Sequence, residues 1–231
     1  MARLSKRVKE WRTDLDGTKR YRFSEAIELL RKFNKAKFDE RFDVVFRLGV
    51  DPRKSDQMVR GSCVLPNGTG KTVRVLVFAK GDKEKEALEA GADFVGGDDM
   101  VGRIKEGWLD FDRVIASPDM MGVVGKIGRI LGPRGLMPNP KVGTVTPAVG
   151  ETVKIVKKGQ VQFKTDKGAN VAATIGMMSF SDGQMLENLQ AFYDSLLKLK
   201  PATAKGTYIR NISISCTMGP GIKLDPFQFK K

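Results

Sequence analysis

Histidine is absent from this chain of 231 residues. That absence removes the commonest general base near neutral pH, the Ser-His-Asp and Cys-His nucleophile arrangements, and imidazole as a metal ligand. No catalytic set, no metal site and no cofactor are therefore expected. Cysteine is scarce as well: Cys63 and Cys216 stand far apart and form no CxxC pair. A disulfide framework is excluded, and the two thiols are expected to pack as small apolar residues in a reducing, cytoplasmic setting. No apolar run approaches the roughly 18–20 residues that cross a bilayer, so no membrane association is expected. The opening MARLSKRVKEW has basic residues but neither an apolar core nor a small-residue cleavage site, unlike a secretory signal.

Positive charge is abundant. Lys and Arg total 41 against 27 Asp and Glu, for a net +14 and a pI near 9.8. Such a balance points to a polyanionic partner. One stretch gathers it most densely. Lys126, Arg129, Arg134 and Lys141 occur with no acid until Glu151, interleaved with Gly132, Pro133, Gly135, Pro138, Pro140 and Gly143. Val124, Ile127, Ile130 and Leu131 recur at helical spacing, so a helix is predicted there, stopped by Gly132-Pro133. A stiff, positive backbone suits a phosphate surface; an exposed linker with solubilising charge has the same composition.

Residues 1–22, with Arg3, Lys6, Arg7, Lys9 and Arg12, read as a basic arm or short surface helix. Ser24 reads as the N-cap of an amphipathic helix over 25–35. Phe42, Val44, Phe46, Leu48 and Val50 alternate as a half-buried strand, and Ser62–Leu65 forms another. From Val73 the texture changes to a strand apolar on both faces, then helix 82–90, strand 93–95, helix 98–106, strand 111–116 and a helix opened by Pro118. That order is the pattern of a parallel α/β unit. Residues 151–158 read as a short helix. Alternation then returns: Val161 and Phe163 in one strand, pairing through a Lys167-Gly168 turn with Val171–Ile175. A helix at 182–199 turns Met185, Leu186, Leu189, Phe192, Leu196 and Leu197 inward, and Thr207–Thr217 is the last strand before a basic tail. The simplest organisation joins 1–66 and 160–231 in one α+β domain, with 67–159 inserted as an α/β domain.

Within the last strand, Ile212, Ile214 and Cys216 share one face, and Asn211, Ser213, Ser215 and Thr217 the other. Short hydroxyls and an amide let a nucleic-acid backbone come close and can bond phosphate and ribose 2′-OH; an ordinary solvated strand looks the same. Thr217→Val is expected to leave folding nearly unaffected. Met218, in the glycine-rich end with Gly219, is odd for solvent and is able to stack under a base or a ribose. Lys37 and Phe38 set an aromatic among basic residues, either to stack on RNA or as core with solvated lysines beside it. Lys164 and Lys167 repeat that pattern more weakly. Gly70-Lys71-Thr72 is not a phosphate loop, because Leu65 stands where the motif needs glycine and a strand follows rather than a helix. Asp98, Asp99, Asp110 and Asp112 read as caps and turns rather than a Mg²⁺ site, and Ser117-Pro118-Asp119 as an N-cap stretch. An enzyme acting on a nucleotide in the βαβ insertion is the competing reading, opposed by the missing glycine fingerprint and the missing histidine.

The stretch ILGPRGLMPNPKVGTV at 130–145 closely resembles the signature of ribosomal protein L1 of the large subunit. LGVDPRKSDQMVRG at 48–61, VLPNGTGKTVRVLVFAKG at 64–81, AGADFVGGDDM at 90–100, FDRVIASPDMMGVVGKIG at 111–128, PATAKGTYI at 201–209 and CTMGPG at 216–221 extend the likeness essentially end to end. The resemblance implies a split ferredoxin-like α+β domain from both termini and an inserted Rossmann-like, three-layer α/β domain. It implies a structural protein of the large ribosomal subunit, monomeric when free, bound to 23S rRNA at a mobile stalk that helps release deacylated tRNA from the exit site. It also implies repression through the protein's own operon mRNA. The implied RNA face maps onto Lys37, Phe38, Asn211, Ser213, Ser215, Thr217, Met218 and Gly219, with Lys126, Arg129, Arg134 and Lys141 facing tRNA or the stalk. The segment KTDKGANVAAT at 164–174 lacks a histidine that many relatives carry, so Lys164 and Lys167 fit that pattern least.

Overall fold

In the computed structural model, which describes residues 5–229, the chain forms a mixed α/β structure with three sheets. Arg3 of the expected arm, and Lys230 and Lys231 of the expected tail, lie outside the described residues. The helices are α1 (Lys6–Asp14), α2 (Phe23–Phe33), α3 (Asp82–Glu89), α4 (Asp98–Lys105), α5 (Met121–Gly125), α6 (Gly128–Leu131), α7 (Val149–Lys157) and α8 (Asp182–Lys198). The strands are β1 (Arg41–Leu48), β2 (Arg60–Val64), β3 (Val75–Phe78), β4 (Phe94–Gly96), β5 (Arg113–Ala116), β6 (Gln160–Lys164), β7 (Asn170–Met177), β8 (Ile209–Cys216) and β9 (Ile222–Leu224).

Two compact units result. The central one comprises Arg60–Val64 and Gly70–Gln162, and the terminal one the segments on either side together with Leu65–Thr69. Asn188 explains why that last turn belongs with the terminal unit. Its fully buried amide donates to the carbonyls of Ile175 (2.7 Å) and Gly68 (2.9 Å) and accepts the Asn67 N–H (3.0 Å). A buried amide satisfied this fully fixes its partners.

The terminal unit is built on a four-stranded antiparallel sheet in the order β7-β1-β8-β9. Alternation puts Phe42, Val44, Phe46 and Leu48 of β1 and Ile212, Ile214 and Cys216 of β8 on the buried face. Ala26, Ile27 and Leu30 of α2 and Met185, Leu189, Phe192 and Leu196 of α8 are buried with them, and the Phe46 and Phe192 rings lie 5.6 Å apart.

Several expectations need correction here. β7 pairs with β1, not with β6; β6 joins β2 in a two-stranded ribbon. The chain turns between them because Thr165 is tied to the Val59 carbonyl through both its N–H and its hydroxyl, each at 2.9 Å. The Asp166 carboxylate then collects the N–H groups of Gly168 and Asn170, and Ala169, not glycine, takes the left-handed conformation (φ 61°). Thr207–Thr217 is not the last strand, since β9 follows it. α2 starts at Phe23, so Ser24 lies inside the helix; the Phe23 N–H is capped from afar by the Gln228 side chain at 3.0 Å. Leu186 and Leu197 are each 42% exposed, and Asn188 and Tyr193 take the inward positions.

The central unit has a three-stranded parallel sheet ordered β4-β3-β5. Successive residues of β3 face opposite layers. Leu76 and Phe78 pack with residues of α4, α5 and α6, while Val75 and Val77 pack with Ala87 of α3 and Val149, Val153 and Val156 of α7. Helices on both faces account for the uninterrupted apolar run.

Candidate nucleic-acid interface

The face of the four-stranded sheet opposite the helices carries the polar row. Asn211, Ser213 and Ser215 are half-buried and Thr217 is exposed. At about 3.3 Å per residue the row spans roughly 20 Å. The register supplies its neighbours, which the sequence reading missed: Arg47 opposite Asn211, Val45 opposite Ser213, Asp43 opposite Ser215, and Lys223 on the other side of Ser213. On the far side of β1, Asn170, Ala172 and Thr174 continue the face, and Thr174 donates to Asp43 at 2.5 Å. The alternation that marked the buried residues of β1 also marks Arg41, Asp43, Val45 and Arg47 as the opposite face, so that signal was present.

At the Phe42–Cys216 end, the loop before β1 meets the turn after β8. The Thr217 hydroxyl accepts the Arg41 N–H at 3.0 Å, and Glu40 Oε2 accepts the Met218 N–H at 2.8 Å. Phe38 is 54% exposed and Met218 44%, both large apolar side chains in water, and Lys37 next to Phe38 is exposed. Phe38 is thus not core. Gly219 is required sterically, because a Cβ there would stand 2.2 Å from Cys216 Sγ. Both cysteines are buried and neither is in a disulfide. Burial first, and then the hydrogen bond and charge of Glu40, push the Cys216 thiol up to about 12.

Lys164 and Lys167 are exposed but lie elsewhere. They flank the turn whose Ala169 carbonyl accepts the Leu48 N–H, at the opposite end of β1 from Thr217. Of the face's polar residues, Arg47, Asn170 and Asn211 are at that end.

The second group sits on the central unit. The predicted helix through 123–131 is two short ones, α5 and α6, because Lys126 and Ile127 hydrogen-bond three residues back and Gly122, Gly125 and Gly128 weaken the helix. Val124, Ile127 and Leu131 are nevertheless buried. The rest of the stretch is rigidly held. The Asn139 side chain accepts the Lys141 N–H at 2.8 Å, and the buried Thr144 hydroxyl accepts the Asn139 N–H at 2.8 Å and donates to its carbonyl at 3.2 Å. The Ala116 N–H then donates to the Thr144 carbonyl, docking the stretch on β5. Arg129, Arg134 and Lys141 are exposed and in no ion pair among the described residues, whereas Lys126 pairs with Asp98 at 3.4 Å. A segment tied down by these bonds, with Arg129, Arg134 and Lys141 in water, presents positive charge on a held backbone.

The aspartates hold no cluster able to bind a metal among the described residues. Asp99 caps the Gly97 N–H, and Asp112 binds Lys71 and Arg74. No helix among the described residues is long and apolar enough to cross a membrane.

The model of the Ribosomal protein L1p/L10e family matches residues 30–220. The large ribosomal subunit protein uL1 of Syntrophobacter fumaroxidans (strain DSM 10017 / MPOB) is 57% identical over 230 residues, an overlap covering 100% of this chain and 98% of that protein.

Proposed function

Because this chain belongs to the ribosomal protein L1p/L10e family, we propose that it is a structural protein of the large ribosomal subunit, in the cytoplasm, that binds 23S rRNA at the mobile stalk through the open face of its terminal unit. In this reading the terminal unit is a split ferredoxin-like domain and the central unit an inserted Rossmann-like domain. The observation that carries the proposal is the row Asn211, Ser213, Ser215 and Thr217, flanked in register by Arg47 and Lys223 and ended by exposed Phe38 and Met218. Hydroxyls and an amide read backbone and 2′-OH, the cations neutralise phosphate, and the two apolar side chains stack on unpaired bases. The role involves no catalysis.

The test is a filter-binding titration of the full chain with a 23S stalk fragment. Replacing Ser213 and Ser215 together by Val keeps strand propensity and removes both hydroxyls. Affinity is expected to fall by about 1–2 kcal/mol. An unchanged titration with a native circular dichroism spectrum would overturn the assignment of this face.

The exposed cations of the central unit support a second contact, with the departing exit-site tRNA or a nearby stalk segment. Gln at Arg129, Arg134 and Lys141 is then expected to leave stalk-fragment affinity within about threefold and to slow tRNA release in reconstituted elongation. A shape-reading surface also accepts an operon-mRNA leader of similar fold. Competition between that transcript and the stalk fragment tests it, and simultaneous binding of both to one monomer would exclude it.

A further inference from the structure

Glu40 is 1% exposed, on the threshold of β1, in a protein whose partner is a polyanion. A carboxylate is the wrong charge to face phosphate, and burying one is costly unless donors surround it. The donors here all belong to one structural feature. Oε2 accepts the Met218 N–H at 2.8 Å, and the Cys216 thiol hydrogen-bonds to the same side chain. The Glu40 backbone carbonyl accepts the Met178 N–H at 2.8 Å, so the residue is itself anchored to the end of β7. One residue on, the Arg41 N–H donates to Thr217 Oγ1 at 3.0 Å. The Gly219 N–H returns to the Cys216 carbonyl at 3.1 Å, and only glycine leaves room for Cys216 Sγ. The turn after β8 is thus gripped from beneath by the two residues that open β1.

We propose that Glu40 is the positioning residue of the RNA face: its buried carboxylate fixes the turn that presents Thr217, Met218 and Gly219 to RNA without touching RNA itself. The inference deepens the function proposed above and rests on the reading that this turn contacts RNA. The Cys216 thiol, with its pKa near 12, stays protonated at any working pH and remains a donor to the carboxylate. Pre-setting the turn spares the complex the entropy of ordering it on binding.

Reach and charge can be separated. Glu40→Gln keeps the side-chain length and an acceptor for the Met218 N–H, and its amide can donate to Cys216 Sγ, but the charge is gone. Glu40→Asp keeps the charge and loses one methylene of reach. Both variants of the full chain, with Met218→Ala, are titrated with the 23S stalk fragment, and exchange of the Met218 amide is followed by NMR. A positioning role predicts Glu40→Gln within roughly threefold of wild type with Met218 still protected. It predicts Glu40→Asp weaker by roughly tenfold or more, with that protection lost, although the fold is native by circular dichroism. Wild-type affinity in Glu40→Asp, or equal losses in both variants while Met218→Ala also weakens binding, would overturn the inference and leave the RNA reading standing. Unchanged binding in Met218→Ala would overturn the RNA reading of this turn and the inference with it. If Glu40→Asp does not fold, the Gln arm decides: retained affinity and protection support the proposal, and a roughly tenfold loss with protection retained overturns it.

Discussion

The Thr217 hydroxyl accepts the Arg41 N–H, and its own proton is the group proposed to meet RNA. Thr217→Val therefore costs folding as well as binding, contrary to the near-neutrality expected from volume alone. An expected loss of about 1 kcal/mol, the net contribution of an ordinary hydrogen bond, is read from the urea midpoint, and Thr217→Ser should restore it. Gly219→Ala is more severe, since the new Cβ would stand 2.2 Å from Sγ of Cys216, a thiol that is buried and hydrogen-bonded to Glu40. At this scale the sequence was informative where one strand suffices: the period of two separates Ser213 and Ser215 from Ile212 and Ile214 without any structure. It was silent about Glu40. Nothing local distinguishes it from Asp39, and the N–H that gives it a task lies 178 residues along the chain.

Among elements, the type and rough position of most segments followed from periodicity, while partners and several boundaries did not. β6 and β7 are sequence neighbours with a plausible turn between them, yet Thr165 spends its N–H and hydroxyl on Val59 and sends them to different sheets. The start of α2 was misplaced for a similar reason, because its cap comes from Gln228 rather than from a local Ser. The glycine- and proline-rich stretch looked like a linker, and its order depends on bonds no composition reveals. Thr144→Val removes an acceptor and a donor from a buried hydroxyl at little change in volume. It is expected to destabilise the central unit by about 1–3 kcal/mol in a denaturant titration. Asp112 gives a test in pH. The Lys71 ammonium, ahead of the Arg74 N–H and guanidinium, holds its carboxyl down at about 2. A folded pKa below the unfolded value, about 3.9, stabilises above the latter, and the contribution is lost as pH falls through the former. The Tm deficit of Asp112→Asn is therefore expected to be full at pH 5 and to close as pH approaches 2.

For the whole molecule, the charge and the polar row coincide. A chain joining 1–69 to 160–231 by a short glycine linker keeps 26 basic and 15 acidic residues, net +11 of the +14. It also keeps the Asn67 and Gly68 bonds to Asn188. It is expected to fold, to bind the stalk fragment within about tenfold of the full chain, and to show a similar salt slope in the titration. Loss beyond that would move the principal site to the central unit. Strand order has a further consequence during synthesis. β1 is made early, but its two partners are β7 and β8, and the second ends at Cys216. At a translation rate of about 5–20 residues per second, β1 waits on the order of ten to thirty seconds for its neighbours, while 60–64 and 70–162 already have theirs. The face proposed to bind RNA therefore does not exist on a nascent chain, and a product terminated before β8 carries positive charge without an organised surface. Under the proposed function, only finished molecules would compete for the stalk or the message, so the count that such a circuit would sense is of complete protein.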